Sequence, residues 1–262
     1  MYATLIAVAA LWGAGAGLFL PRAAYRLSVE PEEAWRVACA AGHPFTGPGR
    51  GWIGRSRCGA CATAVPARTA PGTAEAEGAP ASRPQPLVPL TTALVCAALA
   101  AATGARPELA VWLLLTPFAV LLALVDRAVH RLPDQLTLPL AAAAGALLGL
   151  AELLPGEGGS WPGALLGGLV LGAAYFVLFL IHPNGMGFGD VKLALSLGVV
   201  LGWYGWAVLF AGAFAGFVLG SLYGLVLMAV RRASRKTAIP FGPFMIVGAL
   251  AGVLLGALAA MP

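Results

Sequence analysis

Two aspartates stand out in a chain that is poor in charge. Asp126 closes an apolar run in "LLALVDRAVHRLPDQLTLP", and Asp190 follows three glycines in "GMGFGDVKL". Two carboxylates brought together do not both ionise easily. One keeps a proton while the other stays charged, and such a pair can activate a water and polarise a carbonyl. Gly185, Gly187 and Gly189 let the backbone bend and let a peptide approach Asp190 closely. A blander reading competes. A Gly-rich turn ending in Asp is a common helix start, and Asp126 can be an interfacial acid paired with Arg127 or Arg131.

The elements that position these acids follow from composition. Of 262 residues, 60% are hydrophobic and 10% charged, with mean hydropathy +0.85. A soluble domain carries about 25% charged residues, so the sequence predicts an all-α integral membrane protein, a polytopic bundle. Apolar runs predict about eight spans, near 2–20, 87–104, 108–126, 135–153, 162–182, 190–203, 206–230 and 240–261. The sixth is short. Of 16 Lys and Arg, eight lie in 21–86. Arg127, Arg131, Lys192, Arg231, Arg232, Arg235 and Lys236 sit in loops on the same side, leaving Arg106 opposite. Basic loops stay inside, which places both termini outside the inner membrane. Span three then runs inward to Asp126 and span six runs outward from Asp190, so both carboxylates stand at the cytoplasmic edge. Ionisable groups at that depth face a bundle interior or a wet cavity. The net charge of +5 is split among loops and reads as contact with lipid headgroups, not nucleic acid.

Residues 1–20 read as a first span and not a cleaved leader, because no basic residue precedes the apolar run and Pro21-Arg22 follow it. Residues 21–86 form a cytoplasmic insert whose second half, 67–86, has the composition of a disordered linker. Residues 87–262 would be a seven-helix catalytic domain. Asp134, after Pro133, favours an N-cap role. Lys192 either offsets the charge of the two aspartates or marks the membrane boundary. His130 reads as a solvated loop residue, His182 as the end of span five, and Cys96 as a small buried residue.

Taken together, "LVDRAVHRLPDQLTLP" and "GMGFGDVKL" resemble the type IV prepilin peptidase family of membrane aspartic peptidases. "GLFLPRAAYRL" at 17–27 is similar to that family's end of span one, "RCGAC" at 57–61 to its second cysteine pair, and "IPFGPFMIVGAL" at 239–250 to its last span. The resemblance runs in order along nearly the whole chain. It implies that Asp126 and Asp190 are the catalytic pair, needing no cofactor for proteolysis. It also implies that leaders of prepilins or pseudopilins are cut at the cytoplasmic face, commonly after Gly. In full-length members the new N-terminus is then methylated from S-adenosylmethionine. Gly187, Gly189, Lys192 and Asp134 would support the site or contact substrate.

The family usually carries two Cys-x-x-Cys pairs. Here Cys58 and Cys61 keep the zinc-knuckle spacing, but Cys39 is followed by Ala40, Ala41 and Gly42. His43 is the candidate fourth ligand, completing a structural zinc set of Cys39, His43, Cys58 and Cys61; the alternative is a degenerate site without metal. This change, with Pro21 where the family has Asn, bears on methyl transfer more than on proteolysis. Three rivals remain. A presenilin-like protease would carry Tyr-Asp and Pro-Ala-Leu motifs, whereas this chain has Val125-Asp126 and no Pro-Ala-Leu. A proton-coupled transporter would show mid-membrane acids and inverted repeats. A membrane scaffold that binds pilin precursors without cutting them is separable only by assay.

Overall fold

Backbone polar groups in long apolar runs are satisfied internally when the runs are helical, and helices carry the fold. The computed structural model describes residues 2–30, 32–54, 58, 60, 61, 87–183, 185–230 and 239–261. Helix α1 is Tyr2–Gly17, α2 Leu20–Leu27, α3 Leu87–Thr103, α4 Glu108–Val129 and α5 Asp134–Glu152. Helix α6 is Trp161–Ile181, α7 Phe188–Gly202, α8 Trp206–Ala229 and α9 Gly242–Ala259. The expected linker 67–86 and the basic residues Arg231, Arg232, Arg235 and Lys236 lie outside the described residues.

All eight expected apolar segments are helical, but they differ in reach. By length and composition α4, α5, α6, α8 and α9 can each cross a membrane, and the α1–α2 pair, bent by 40°, would make a sixth. Helix α3 has 17 residues and α7 has 15. At 1.5 Å per residue α7 is about 22 Å long, short of the roughly 30 Å hydrocarbon core. Its burial explains how so short a helix is accommodated. Leu193, Ala194, Ser196 and Leu201 are shielded by α5, α6 and α9, which pack around it. Helices α6 and α7 touch backbone to backbone: a Cβ on Gly167 would lie 2.6 Å from the Gly198 carbonyl. Small residues at such a seam bring membrane helices close.

The two ends of the bundle differ in what closes them. At one end Arg106, just before α4, donates to the carbonyl of Ala257 at the end of α9 (2.6 Å) and lies 3.5 Å from Glu108. Tyr204, after α7, donates to Glu108 (3.3 Å), which is fully buried. The other end gathers the C-terminus of α4 with the starts of α7 and α9. Asp126 and Asp190 therefore share one end of the bundle, as the alternation of spans requires.

The insert is held against that end. Leu20, Ala24 and Leu27 of α2 pack on Leu121 and Val125 of α4. Arg22 donates to the Thr46 carbonyl (3.3 Å), and Arg26 to those of Arg36 (2.9 Å) and Arg50 (3.1 Å). Arg26 also stacks over Trp52, 4.0 Å from the ring centre. Guanidinium groups suit this work because they donate in several directions and lie flat on aromatic faces.

Candidate functional site

Asp126 sits one turn from the end of α4, where Val125 packs inward and Arg127 faces out. Only 4% of its surface is exposed. Its Oδ2 accepts a hydrogen bond from the backbone N–H of Gly242 (3.0 Å). That donor is available because Gly242 opens α9, and the first N–H groups of a helix have no partner within it. A Cβ at residue 242 would stand 2.8 Å from Asp126 Oδ2, so a side chain there would collide with the carboxylate.

Asp190 lies in the first turn of α7 and is 8% exposed. Its Oδ2 accepts from the Gly187 N–H (3.2 Å). The bland reading of this acid therefore holds in part, since one oxygen caps its own helix. Among the described residues, Oδ1 of Asp190 and Oδ1 of Asp126 accept no hydrogen bond. The two carboxylates are close enough for the charge on Asp126 to act on Asp190. Buried Tyr175 lies within electrostatic reach of Asp190 and is held by the rings of Phe217 and Phe241, at 5.4 and 6.4 Å.

The supporting residues divide. Gly189 is needed for close approach: a Cβ there would come within 3.0 Å of the Leu132 side chain, which belongs to the connection after Asp126. Gly187 has ordinary clearance, its nearest neighbour being Asp190 itself at 3.6 Å. Asp134 does not cap α5; that position belongs to Pro133, with no side-chain cap. Instead the Asp134 carboxylate binds Lys192 at 2.6 Å, and the Lys192 ammonium lies over the Phe188 ring at 4.7 Å. This ties the start of α5 to the start of α7. His130 caps α4 and is exposed, and His182 caps α6. Two neighbours go beyond the sequence reading: Gly242, whose segment "IPFGPF" the resemblance marks without naming its partner, and Tyr175. The first acts through its backbone, and the second is one aromatic among many in an apolar helix.

The cysteine cluster lies in the insert. A turn closed by pairing of Ala38 with Pro44 and by the Cys39 N–H to the His43 carbonyl (2.9 Å) brings Cys39 and His43 together. Ligand atoms of Cys39, His43, Cys58 and Cys61 all lie within 4.8 Å of one another. Cys39 Sγ is 3.7 Å from Cys61 Sγ and 3.6 Å from His43 Nδ1, and His43 Nδ1 is 3.3 Å from Cys61 Sγ. Ligands about 2.3 Å from a tetrahedral zinc stand about 3.8 Å apart, so the set has the shape of a metal site, and all four cysteines are free. Burial opposes ionisation of Cys39. Backbone donors at His43 and Ala41 and the Cys61 and His43 side chains outweigh it and lower the thiol to about 6. Cys61, hydrogen-bonded to Cys39 and desolvated, is pushed up to about 11.

The fold and site thus define a polytopic helical membrane protein with two buried carboxylates at one end of its bundle. The profile of the type IV leader peptidase family matches residues 113–229, which include both aspartates. The chain is 35% identical over 207 residues to a prepilin leader peptidase/N-methyltransferase of Pseudomonas putida, covering 77% of this chain and 64% of that protein. It is 36% identical to one of Aeromonas hydrophila, covering 68% and 60%, and 32% identical to one of Aeromonas salmonicida (strain A449), covering 82% and 69%. The chain belongs to the type IV leader peptidase family. The matches to the first two span less than two thirds of those relatives. No solved structure matches the chain.

Proposed function

We propose that the protein is an aspartic endopeptidase that removes the leader of type IV prepilins or pseudopilins at the cytoplasmic face of the inner membrane, with Asp126 and Asp190 as its catalytic pair. The observation that carries this reading is that two buried carboxylates share one end of the bundle, near enough for the charge of one to act on the other. Each is fixed through Oδ2 by a backbone N–H. On each, Oδ1, without a hydrogen bond among the described residues, is the atom assigned to water or substrate. One carboxylate takes a proton from water as its oxygen adds to the scissile carbonyl. The other, protonated, donates to the carbonyl oxygen. The tetrahedral intermediate collapses as the C–N bond breaks and the leaving amine gains a proton. The proton is shared by the pair.

The same reading assigns Lys192 and Asp134 to alignment of α5 and α7, and Gly187 and Gly189 to the loop against which the peptide extends. It assigns the Cys39, His43, Cys58 and Cys61 set to a structural zinc that stabilises an insert with little apolar core. A cavity of about 270 Å³ between insert and bundle, lined by Glu32, Glu33, Trp35 and Val125, lies beside the residue preceding Asp126 and would adjoin a bound leader. N-methyltransferase is the second activity in the relatives' names, and S-adenosylmethionine is the methyl donor that this reading assigns to it. Co-expression with a prepilin, followed by mass spectrometry of its N-terminus, tests the reading. Leader loss supports it, an intact precursor overturns it, and an added methyl group reports the second activity.

A further inference from the structure

A cleft of about 470 Å³ runs between α4 and α9, backed by α3, α5 and α7. Along α4 its wall extends at helical spacing from Trp112 through Thr116, Val120 and Ala123 to Arg127, a length of about 22 Å at 1.5 Å per residue. On α9 the wall begins at Pro243. Arg127 and Pro243 directly follow Asp126 and Gly242, so the cleft ends beside the carboxylate site.

Its lining is apolar in a strict sense. The hydroxyls on its walls are already committed: Thr116 to the Trp112 carbonyl (2.7 Å), Thr91 to that of Val88 (3.0 Å), and Ser196 to that of Thr137 (3.2 Å). Ordered water needs two or more polar partners, and these walls offer few. Val247, half exposed, is also part of the lining, so the cleft is reachable from the hydrocarbon. Arg127 is exposed and has no ion pair among the described residues.

The dimensions choose between occupants. Spread over about 22 Å, 470 Å³ leaves a mean cross-section of about 20 Å². A helix with its side chains is about 10–12 Å across, or roughly 80–110 Å². The cleft is too narrow to enclose a whole helix but admits an alkyl chain from the hydrocarbon, and the exposed Arg127 at its end, without an ion pair among the described residues, selects an anionic group there. We propose that it holds one acyl chain of an anionic membrane phospholipid, with the headgroup against Arg127. Anionic lipid attracts basic groups at the cytoplasmic surface, and an apolar chain in the cleft keeps water from reaching Asp126 sideways. The assignment takes the cytoplasmic side of Arg127 from the proposed topology but does not require peptidase activity.

The test uses the full chain purified in detergent, with native mass spectrometry to count retained lipid. Melting is then compared after transfer into vesicles of phosphatidylcholine alone or mixed with phosphatidylglycerol. Retention of one phosphatidylglycerol and a higher melting temperature in the mixed vesicles are expected. Arg127→Gln should reduce retention of phosphatidylglycerol about fivefold without altering that of phosphatidylcholine. Ala119→Phe, which fills the cleft midway, should abolish both, and Leu250→Phe on the facing wall serves if that variant does not fold. Unchanged retention in Arg127→Gln, or in a folded cleft-filling variant, overturns the proposal. So does a photoreactive group at position 119 that crosslinks a peptide or a second copy of the chain but no lipid.

Discussion

Replacing Gly242 by Ala adds one methyl group at the point where the backbone of α9 meets the Asp126 carboxylate. The new Cβ would lie 2.8 Å from Oδ2 and 3.2 Å from Cγ, whereas ordinary contact begins at 3.4 Å. The carboxylate must therefore retreat by about 0.6 Å, which stretches or breaks the 3.0 Å bond from the residue 242 N–H. A hydrogen bond to a charged group contributes about 1.5–3 kcal/mol, and each 1.36 kcal/mol is a factor of ten in rate. If Asp126 is catalytic, kcat should fall by about one to two orders of magnitude, with KM nearly unchanged because the substrate's remote contacts remain. The helix itself should tolerate the change, since Ala is a good helix former and residue 242 has no positive φ. Cleavage of a purified prepilin, followed by mass spectrometry across substrate concentrations, gives kcat and KM. Gly15→Ala is the control, because a Cβ there meets nothing within 4 Å; its kinetics should match the parent. A folded Gly242→Ala protein with parental kcat would show that the Gly242 bond does not position a catalytic group. A rise in KM alone would move Gly242 to substrate binding.

Asp126→Asn and Asp190→Asn should each abolish leader cleavage while membrane insertion, read by fractionation and protease protection, stays normal; processing by either variant removes the pair from the chemistry. Purified protein should carry about one zinc per chain, lost in the double variant Cys58→Ser, Cys61→Ser and kept in His43→Cys; an elemental assay finding no zinc in the parent refutes the site. Lys192→Met breaks the 2.6 Å pair with Asp134, whose side chain is 59% exposed. A pair so exposed contributes about 1 kcal/mol or less, so kcat should drop by no more than about fivefold, and a hundredfold loss would place Lys192 in the reaction instead.

What the sequence disclosed and what it hid divide along a physical line. Apolar run length and the bias of basic loops depend on residue type alone, and together they were enough to bring Asp126 and Asp190 to one end. The cysteine and histidine set was legible because metal ligands are chemically distinctive, even with Cys39 lacking its usual partner. Contacts made by backbone leave no such mark. The Gly242 N–H is a donor only because α9 begins there, and nothing in "IPFGPF" says which carboxylate it faces. Asp134 shows the converse error: its position after Pro133 suits a cap, but Lys192 two residues past Asp190 claims the carboxylate. Glu108 was hidden for a related reason. Read along the chain it is a polar residue at a span's outer end. In the fold it is completely buried between Arg106 and Tyr204, a position that desolvation would make unfavourable without both partners. That cluster is not fully bonded either: Glu108 Oε2 and one Arg106 nitrogen are buried without a hydrogen-bond partner among the described residues, so an unpartnered carboxylate oxygen does not by itself mark the end where chemistry occurs. What separates the two ends is charge: Glu108 is matched by Arg106, whereas the other end holds two carboxylates near enough for the charge of one to act on the other, and such a pair does not readily ionise twice.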